Sequence, residues 1–219
     1  MNYIHDTIAG GYAPKLLGIY ERELHGIIMS LSALGIRHVI NIGAADGYYA
    51  VGLSRMFPEL RVIAFEMEPR GRTFVRAMAE RNGVLPQIEI RGRCEAEDLS
   101  LAIVEPRQTV VLCDVEGYEE VLMDPEKVPG LRNAYLLVEI HDNKNPGVSE
   151  KIRHRFGSSH QIQTIWQEKR GPAEFPFVTR YTRALDPEQL AAAVDEGRPV
   201  RPGATPMSWF WLVPIASQT

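Results

Sequence analysis

From residue 36 onward, short apolar runs alternate with segments whose apolar residues recur every three or four positions. Val39-Ile40-Asn41-Ile42 is a mostly apolar run that breaks at Gly43, and Tyr48 to Phe57 then reads as a helix closed by Pro58. Arg61 to Glu66 predicts a second strand ending in an acid, followed by a helix that starts at Pro69 and stops at Asn82-Gly83. Gln87 to Arg91, Thr109 to Asp114 and Ala134 to Ile140 predict strands three to five. A helix over about 148–156 leads to a strand at 160–167, and the run from Met207 to Val213 predicts the last strand, ended by Pro214.

Upstream, Leu16, Leu17, Tyr20, Leu24, Ile27, Ile28, Leu31 and Leu34 follow helical spacing, which predicts one amphipathic helix over 14–34 with Gly35 as its stop. Strands that alternate with helices and are continuously apolar imply right-handed crossovers and a parallel sheet covered on both faces. The expected fold is α/β: a doubly wound, mostly parallel seven-stranded sheet, five strands parallel up to residue 140, with a C-terminal pair that includes an antiparallel edge strand. The expected organisation is a single domain over 1–219. It has an N-terminal helical segment (1–35), a cofactor-binding core (36–168), an insertion that is a candidate substrate cover (169–206) and a last strand (207–214). Within the insertion, Asp186-Pro187-Glu188-Gln189 reads as a cap and first turn of a helix stopped by Gly197. Arg180, Arg183, Arg198 and Arg201 of that stretch could clamp an anion, but nearby acids nearly balance them, and a solvated surface is the plainer expectation.

Composition narrows the classes. Apolar residues make up 45% and charged residues 24%, an ordinary globular balance. Acids exceed bases by 28 to 24, for a net charge of −4, which disfavours nucleic acid as a partner. Cys94 and Cys113 form no metal-ribbon or CxxC pattern and suit a reducing compartment. The first residues, Met1 to Asp6, lack a secretory pattern and no window suits a membrane span, so the expectation is a cytoplasmic protein with no membrane partner. Trp166, Trp209 and Trp211 fall on the last two strands and are expected to pack the sheet.

In parallel sheets of this kind, ligands bind beyond the carboxyl ends of the strands at the topological switch point. Gly43 and Gly47 permit a tight turn and close approach of a ligand. Glu66, nineteen residues after Gly47, can take both hydroxyls of a ribose. That pair predicts a nucleoside cofactor without choosing a reaction, since nicotinamide-dependent oxidoreductases and methyltransferases share it.

The segment Val39-Ile40-Asn41-Ile42-Gly43-Ala44-Ala45-Asp46-Gly47-Tyr48-Tyr49 resembles the first motif of the FkbM-type class I S-adenosylmethionine-dependent methyltransferases. Ala64-Phe65-Glu66-Met67-Glu68-Pro69 is similar to their second. Asp114 to Leu122, followed by Val138-Glu139-Ile140-His141, is similar to their most distinctive third. The resemblance spans roughly residues 36–142. It departs from the family at Asn41, where an acid is usual, and at Met67-Glu68, which replaces a turn that more commonly contains proline. It implies methyl transfer from S-adenosylmethionine, expected to go to an oxygen of a small molecule or a sugar. Asn41, Gly43, Ala44, Asp46, Gly47 and Tyr48 would lie on the methionine and ribose side, and Glu66 on the ribose. Met67 would pack on adenine, with Cys94 or Glu95 at its edge. Asp114 would face the methionine portion, and Glu21 is a weaker candidate for closing the pocket.

Transfer to a hydroxyl requires alignment and removal of a proton. His141 follows a strand end and is a candidate base, which with Asp114 makes the expected catalytic set; a surface or hydrogen-bonded histidine is the commoner case. A divalent cation such as Mg held by Asp114 and Glu139, with His141 or Asp142, is an alternative route, because neighbouring parallel strands bring their ends close together. Asp114 could also cap a helix beginning near Glu116, with Glu119 and Glu120 favouring its first turn. Two rival readings stay open: a nicotinamide-dependent oxidoreductase, and a degenerate module that binds the cofactor without turnover. The most frequent assembly for such a chain is a homodimer.

Overall fold

The structure, a computed structural model, describes residues 1–4, 7–8, 11–177, 179–180, 182–197 and 207–215. Arg198 and Arg201 of the predicted clamp, and His5 and Asp6 of the N-terminus, lie outside the described residues. Seven strands form one sheet: β1 His38–Ile42, β2 Arg61–Phe65, β3 Ile88–Arg91, β4 Thr109–Cys113, β5 Tyr135–Ile140, β6 His160–Trp166 and β7 Ser208–Pro214. Their spatial order is β3-β2-β1-β4-β5-β7-β6. The first five pair in parallel as expected, and β7 runs antiparallel to both neighbours. The antiparallel strand is therefore internal, wedged between β5 and β6, and β6 takes the edge position. A linear reading of the chain could not see that the last strand enters the middle of an existing ladder.

Both faces of the sheet are buried, which accounts for the unbroken apolar runs. Val39, Val62, Val110, Leu112 and Leu137 face one core together with Leu53, Val75 and Met78. Ile42, Phe65, Val111, Val138 and Ile140 face the other, with Leu99, Leu122, Ile152 and Phe156. β7 serves both cores: Trp209 and Trp211 point into the first, Phe210 and Leu212 into the second. Trp166 is 52% exposed at the end of the edge strand and does not pack the sheet.

The helices that carry these faces are α1 Tyr12–Leu17, α2 His25–Ser30, α3 Tyr48–Met56, α4 Pro69–Arg81, α5 Ala96–Ala102, α6 Glu119–Leu122, α7 Val148–Phe156 and α8 Pro187–Val194. Pro69 occupies the first turn of α4, where its missing N–H has no acceptor to satisfy. Asp186 caps α8 as predicted, its side chain accepting from Gln189 N at 2.8 Å. The single helix expected over 14–34 is two short helices. Gly18 closes α1 in the left-handed region at φ 70°, and Glu21 turns at φ 49°. The break is set by long-range contacts: Glu21 is 1% exposed, its carboxylate accepts from the Tyr49 hydroxyl, and its N–H donates to Glu196 at 3.1 Å.

The N-terminal segment is fastened to the glycine loop after β1. Lys15 Nζ lies 2.8 Å from the Asp46 carboxylate, with both side chains buried, and Thr7 donates to the same oxygen. Removing one member of a buried pair leaves an uncompensated charge, which costs about 3–5 kcal/mol. Lys15→Ala is expected to lower the unfolding free energy by about that amount, read from the midpoint of a urea melt at unchanged m-value.

Candidate functional site

Strand register sets the geometry of the site. Ile42 is level with Phe65 on one side and with Cys113 on the other, and Cys113 is level with Val138. The next residues, Gly43, Glu66, Asp114 and Glu139, therefore come out at one height along the carboxyl edge. Gly43 sits at φ 80°, and a Cβ there would lie 1.8 Å from the Asp114 carbonyl oxygen, so no side chain fits. Its N–H and that of Ala44 both donate to Phe65 O at 2.9 Å, and Asp114 N donates to Ile42 O at 3.0 Å. Between β1 and β4 the connections diverge to opposite sides, the switch point at which ligands of this architecture bind.

A cavity of about 460 Å³ opens at this point. Gly43, Glu66, Met67, Cys94 and Asp114 line it, in company with Ile8, Ala45, Phe65, Arg93, Val115, Glu116 and Tyr118, which the sequence reading did not select. The walls are mostly apolar with a few convergent polar groups, the usual composition of a small-molecule site. Glu66 is 7% exposed. Its Oε2 accepts from Ala45 N at 2.7 Å and its Oε1 from Glu68 N at 2.8 Å, so the backbone fixes the carboxylate while each oxygen retains a lone pair. A Cβ at Gly71 would lie 2.6 Å from Glu66 Cγ, so α4 must present a glycine there. Burial pushes the Cys94 thiol up to about 12, with Asp98 adding to it, and the sulfur stays neutral.

Several expected residues do not line this cavity. Asn41 and Ala44 are buried beneath it, and Asp46 is turned toward Lys15 and Thr7. Gly47 begins α3, with Val75 Cα 3.2 Å from where its Cβ would stand, so it serves helix packing. Tyr48 packs edge-on against Tyr20 and Tyr49 at 5.3 Å from each. Glu95 forms the capping box of α5 with Asp98 and accepts from Tyr118 at 3.0 Å. It reaches the cavity through that tyrosine and through Arg93, whose Nε lies 2.6 Å from Glu95 Oε1. Motif spacing picks out the loop, but which side of it each residue faces depends on the N-terminal segment packed against it.

Behind Asp114 lies a buried group of ionisable side chains. Donor atoms of Asp114, Glu139 and His141 fall within 4.8 Å of one another. His141 is 1% exposed; its Nδ1 is 2.6 Å from Glu119 Oε1, and its Nε2 is 3.3 Å from Glu116 and 3.8 Å from both Asp114 and Glu139. Burial raises both carboxyls of the Asp114 and Glu139 pair. Glu139 is carried well above the usual range, with the Asp114 charge as its second cause. Desolvated side by side, the two groups titrate as a coupled pair. Burial acts to lower His141, but the hydrogen bond and charge of Glu119 overcome it, with Asp114 and Glu116 adding to them, and the imidazole titrates above 6.5.

Asp142 is not in this group: its Oδ1 accepts from Ser149 N at 3.1 Å at the start of α7, and it lines a separate groove. What remains is two carboxyls and one imidazole. A hard cation such as Mg takes oxygen ligands, of which this group offers two beside an imidazole nitrogen that suits it less well. The expected cap is also absent. Glu116 turns at φ 57°, Gly117 follows at φ 110°, and α6 starts only at Glu119 with Tyr118 before it, so Asp114 caps no helix.

No known family pattern and no curated protein sequence matches this chain. Solved structures do. Over 94% of this chain and 93% of the other, it is similar to a precorrin-6y C5,15-methyltransferase from Geobacter metallireducens, with a TM-score of 0.57 and 12% identity. It is similar to an S-adenosylmethionine-dependent O-methyltransferase from Thermotoga maritima over 95% and 73% of the two chains, with a TM-score of 0.56 and 13% identity. An O-methyltransferase from Bacillus cereus in complex with S-adenosylhomocysteine gives 0.50 at 14% identity, over 71% of this chain and 82% of that one. The fold is that of the class I methyltransferases. Among the described residues, no helix is long and apolar enough to cross a membrane.

Because Glu139 holds its proton in the fold well beyond 4.5, its contribution to stability is complete below pH 4.5 and is lost as pH rises from there through its raised value. Glu139→Gln, neutral at every pH, is expected to flatten that decline. Thermal melts of both proteins across the pH range check it, and parallel curves would refute the assignment of the proton.

Proposed function

We propose that this protein is an S-adenosylmethionine-dependent methyltransferase of FkbM-like type that transfers a methyl group to a hydroxyl of a small molecule or sugar. The observation that carries the reading is Glu66, a buried carboxylate held by two backbone N–H groups at the mouth of a cavity across the ends of β1 and β2. That is where a ribose with adjacent hydroxyls would be gripped. The S-adenosylhomocysteine complex of the Bacillus cereus relative supports this choice of nucleoside. The antiparallel strand inserted between β5 and β6 weighs against a nicotinamide-dependent oxidoreductase, whose mostly parallel sheet runs in the order 3-2-1-4-5-6.

In this reading Met67 and Tyr118 flank the base, Cys94 and Arg93 stand at its edge, and Gly43 and Asp114 border the methionine portion. The bound sulfonium supplies an electrophilic methyl carbon. Asp114 faces the cavity, backed by His141 Nε2 at 3.8 Å from its Oδ1. As methyl passes from sulfur to the acceptor oxygen, this pair would take the acceptor's O–H proton, which would end on Nε2. Acceptor oxygen and methyl carbon must be held in line with the departing sulfur, so alignment by the cavity walls carries much of the rate. No metal step is needed.

Isothermal titration with S-adenosylhomocysteine is expected to give saturable one-to-one binding, weakened at least about tenfold by Glu66→Ala. Unchanged affinity would overturn the site. Over a panel of hydroxylated acceptors, release of S-adenosylhomocysteine should rise with pH through a midpoint above 6.5 and persist fully in EDTA. Tight binding with no turnover on any acceptor would favour a cofactor-binding module instead.

A further inference from the structure

We propose that Glu119 is a positioning residue that fixes His141 with its proton on Nδ1 and so turns the Nε2 lone pair toward Asp114 and Glu139. The catalytic consequence rests on the methyl-transfer reading, whereas the tautomer itself does not. Glu119 is fully buried, and its Oε1 meets His141 Nδ1 at 2.6 Å while also accepting from Gly117 N at 3.0 Å. A carboxylate oxygen can only accept, so the proton on this bond belongs to Nδ1 whatever the charge of the ring. An imidazole left to itself favours the other tautomer, with its proton on Nε2, in which state that nitrogen could donate but not accept. His141 Nε2 is buried and, among the described residues, makes no hydrogen bond. A nitrogen buried in this state, beside the Asp114 carboxylate that faces the cavity, is one prepared to receive a proton.

The sequence delivers this geometry through an unusual turn. After β4, Glu116 and Gly117 both adopt positive φ, and a Cβ on Gly117 would lie 3.2 Å from Lys144 Cβ. The double turn delays α6 until Glu119, and Leu122, one helical turn on, is buried in the second core. Both residues lie on the inward face of that helix, so Glu119 points into the protein and not into solvent. Read as a sequence, Glu119 was only an acid suited to a first helical turn; its burial shows a different task. The charged groups that face His141 are Glu119 from α6, Asp114 and Glu116 from the β4–α6 loop, and Glu139 from β5, while Lys144 pairs with Glu116 from outside. Of the four acids, only Glu119 touches Nδ1. It alone can therefore set the tautomer, whereas all four hold the charged ring once a proton has arrived.

Long-range proton–nitrogen correlation spectra of the ¹⁵N-labelled full chain, with His141 assigned by its loss in His141→Gln, test the inference. Above its titration, wild-type His141 should show a protonated Nδ1 and an unprotonated Nε2. In Glu119→Ala the tautomer should reverse, and in the nearly isosteric Glu119→Gln the titration midpoint should fall by about one pH unit. Glu119→Asp should restore most of that shift. The acid limb of methyl transfer in the acceptor panel should move with the midpoint, kcat falling more than about tenfold while KM stays within about threefold. Binding of S-adenosylhomocysteine within about twofold of wild type certifies that each variant is folded. An unchanged tautomer in Glu119→Ala and an unchanged midpoint in Glu119→Gln would overturn the proposal. Failure of the wild type to bind S-adenosylhomocysteine would overturn the methyl-transfer reading and leave the tautomer result standing.

Discussion

The close approach of Gly43 to the backbone of Asp114 is the contact on which the site depends. With no side chain at position 43, the ends of β1 and β4 stay in register up to their last residues, and the chain leaves each strand on opposite sides of the sheet. The cleft that results is floored by apolar strand ends and rimmed by Glu66 and Asp114. Any β-carbon at 43 would force these strands apart. The level at which Glu66, Asp114 and Glu139 emerge would then be lost, and with it the convergence of polar groups from three separate strands.

Burial divides those carboxylates into different jobs. Glu66 is tied by two backbone N–H groups at the mouth of the cavity. Burial raises both the Asp114 and Glu139 carboxyls, and the Asp114 charge adds to the rise at Glu139. Glu119 meets a histidine instead and raises its affinity for a proton against the effect of burial. Four acids near one strand edge thus differ according to what surrounds each: one held by backbone N–H groups, two raised by burial, and one paired with an imidazole.

A second buried charge group lies on the N-terminal side. Arg170 reaches Glu196 at 3.2 Å and also pairs with Glu23, all three side chains being about 3% exposed or less. Burial, with the Glu23 charge as the second cause, pushes the Glu196 carboxyl up to about 7. These contacts bind the segment after β6 to the residues before β1. α8 packs beside α1, and Gly11 has no room for a Cβ against Asp195 O at 2.9 Å. The predicted insertion is in this part a packed element joined to the N-terminal segment.

The alternation of apolar runs and helical periods determined the seven strands, most helices and their order, because burial on both faces leaves an imprint on every residue of a strand. Local chemistry also determined the glycine turn at 43 and the acid at 66, since a tight turn and a strand-end carboxylate are signalled by residue type and spacing. Only the tertiary structure decided that β7 enters the sheet between β5 and β6, that the N-terminal helix breaks at Gly18, and that Asp46 serves Lys15 and not the cavity. It alone decided that Asp142 turns to α7 while Glu119 turns inward to His141. Each of these depends on a partner far along the chain, whose position follows from packing and register and leaves no mark on the neighbouring sequence.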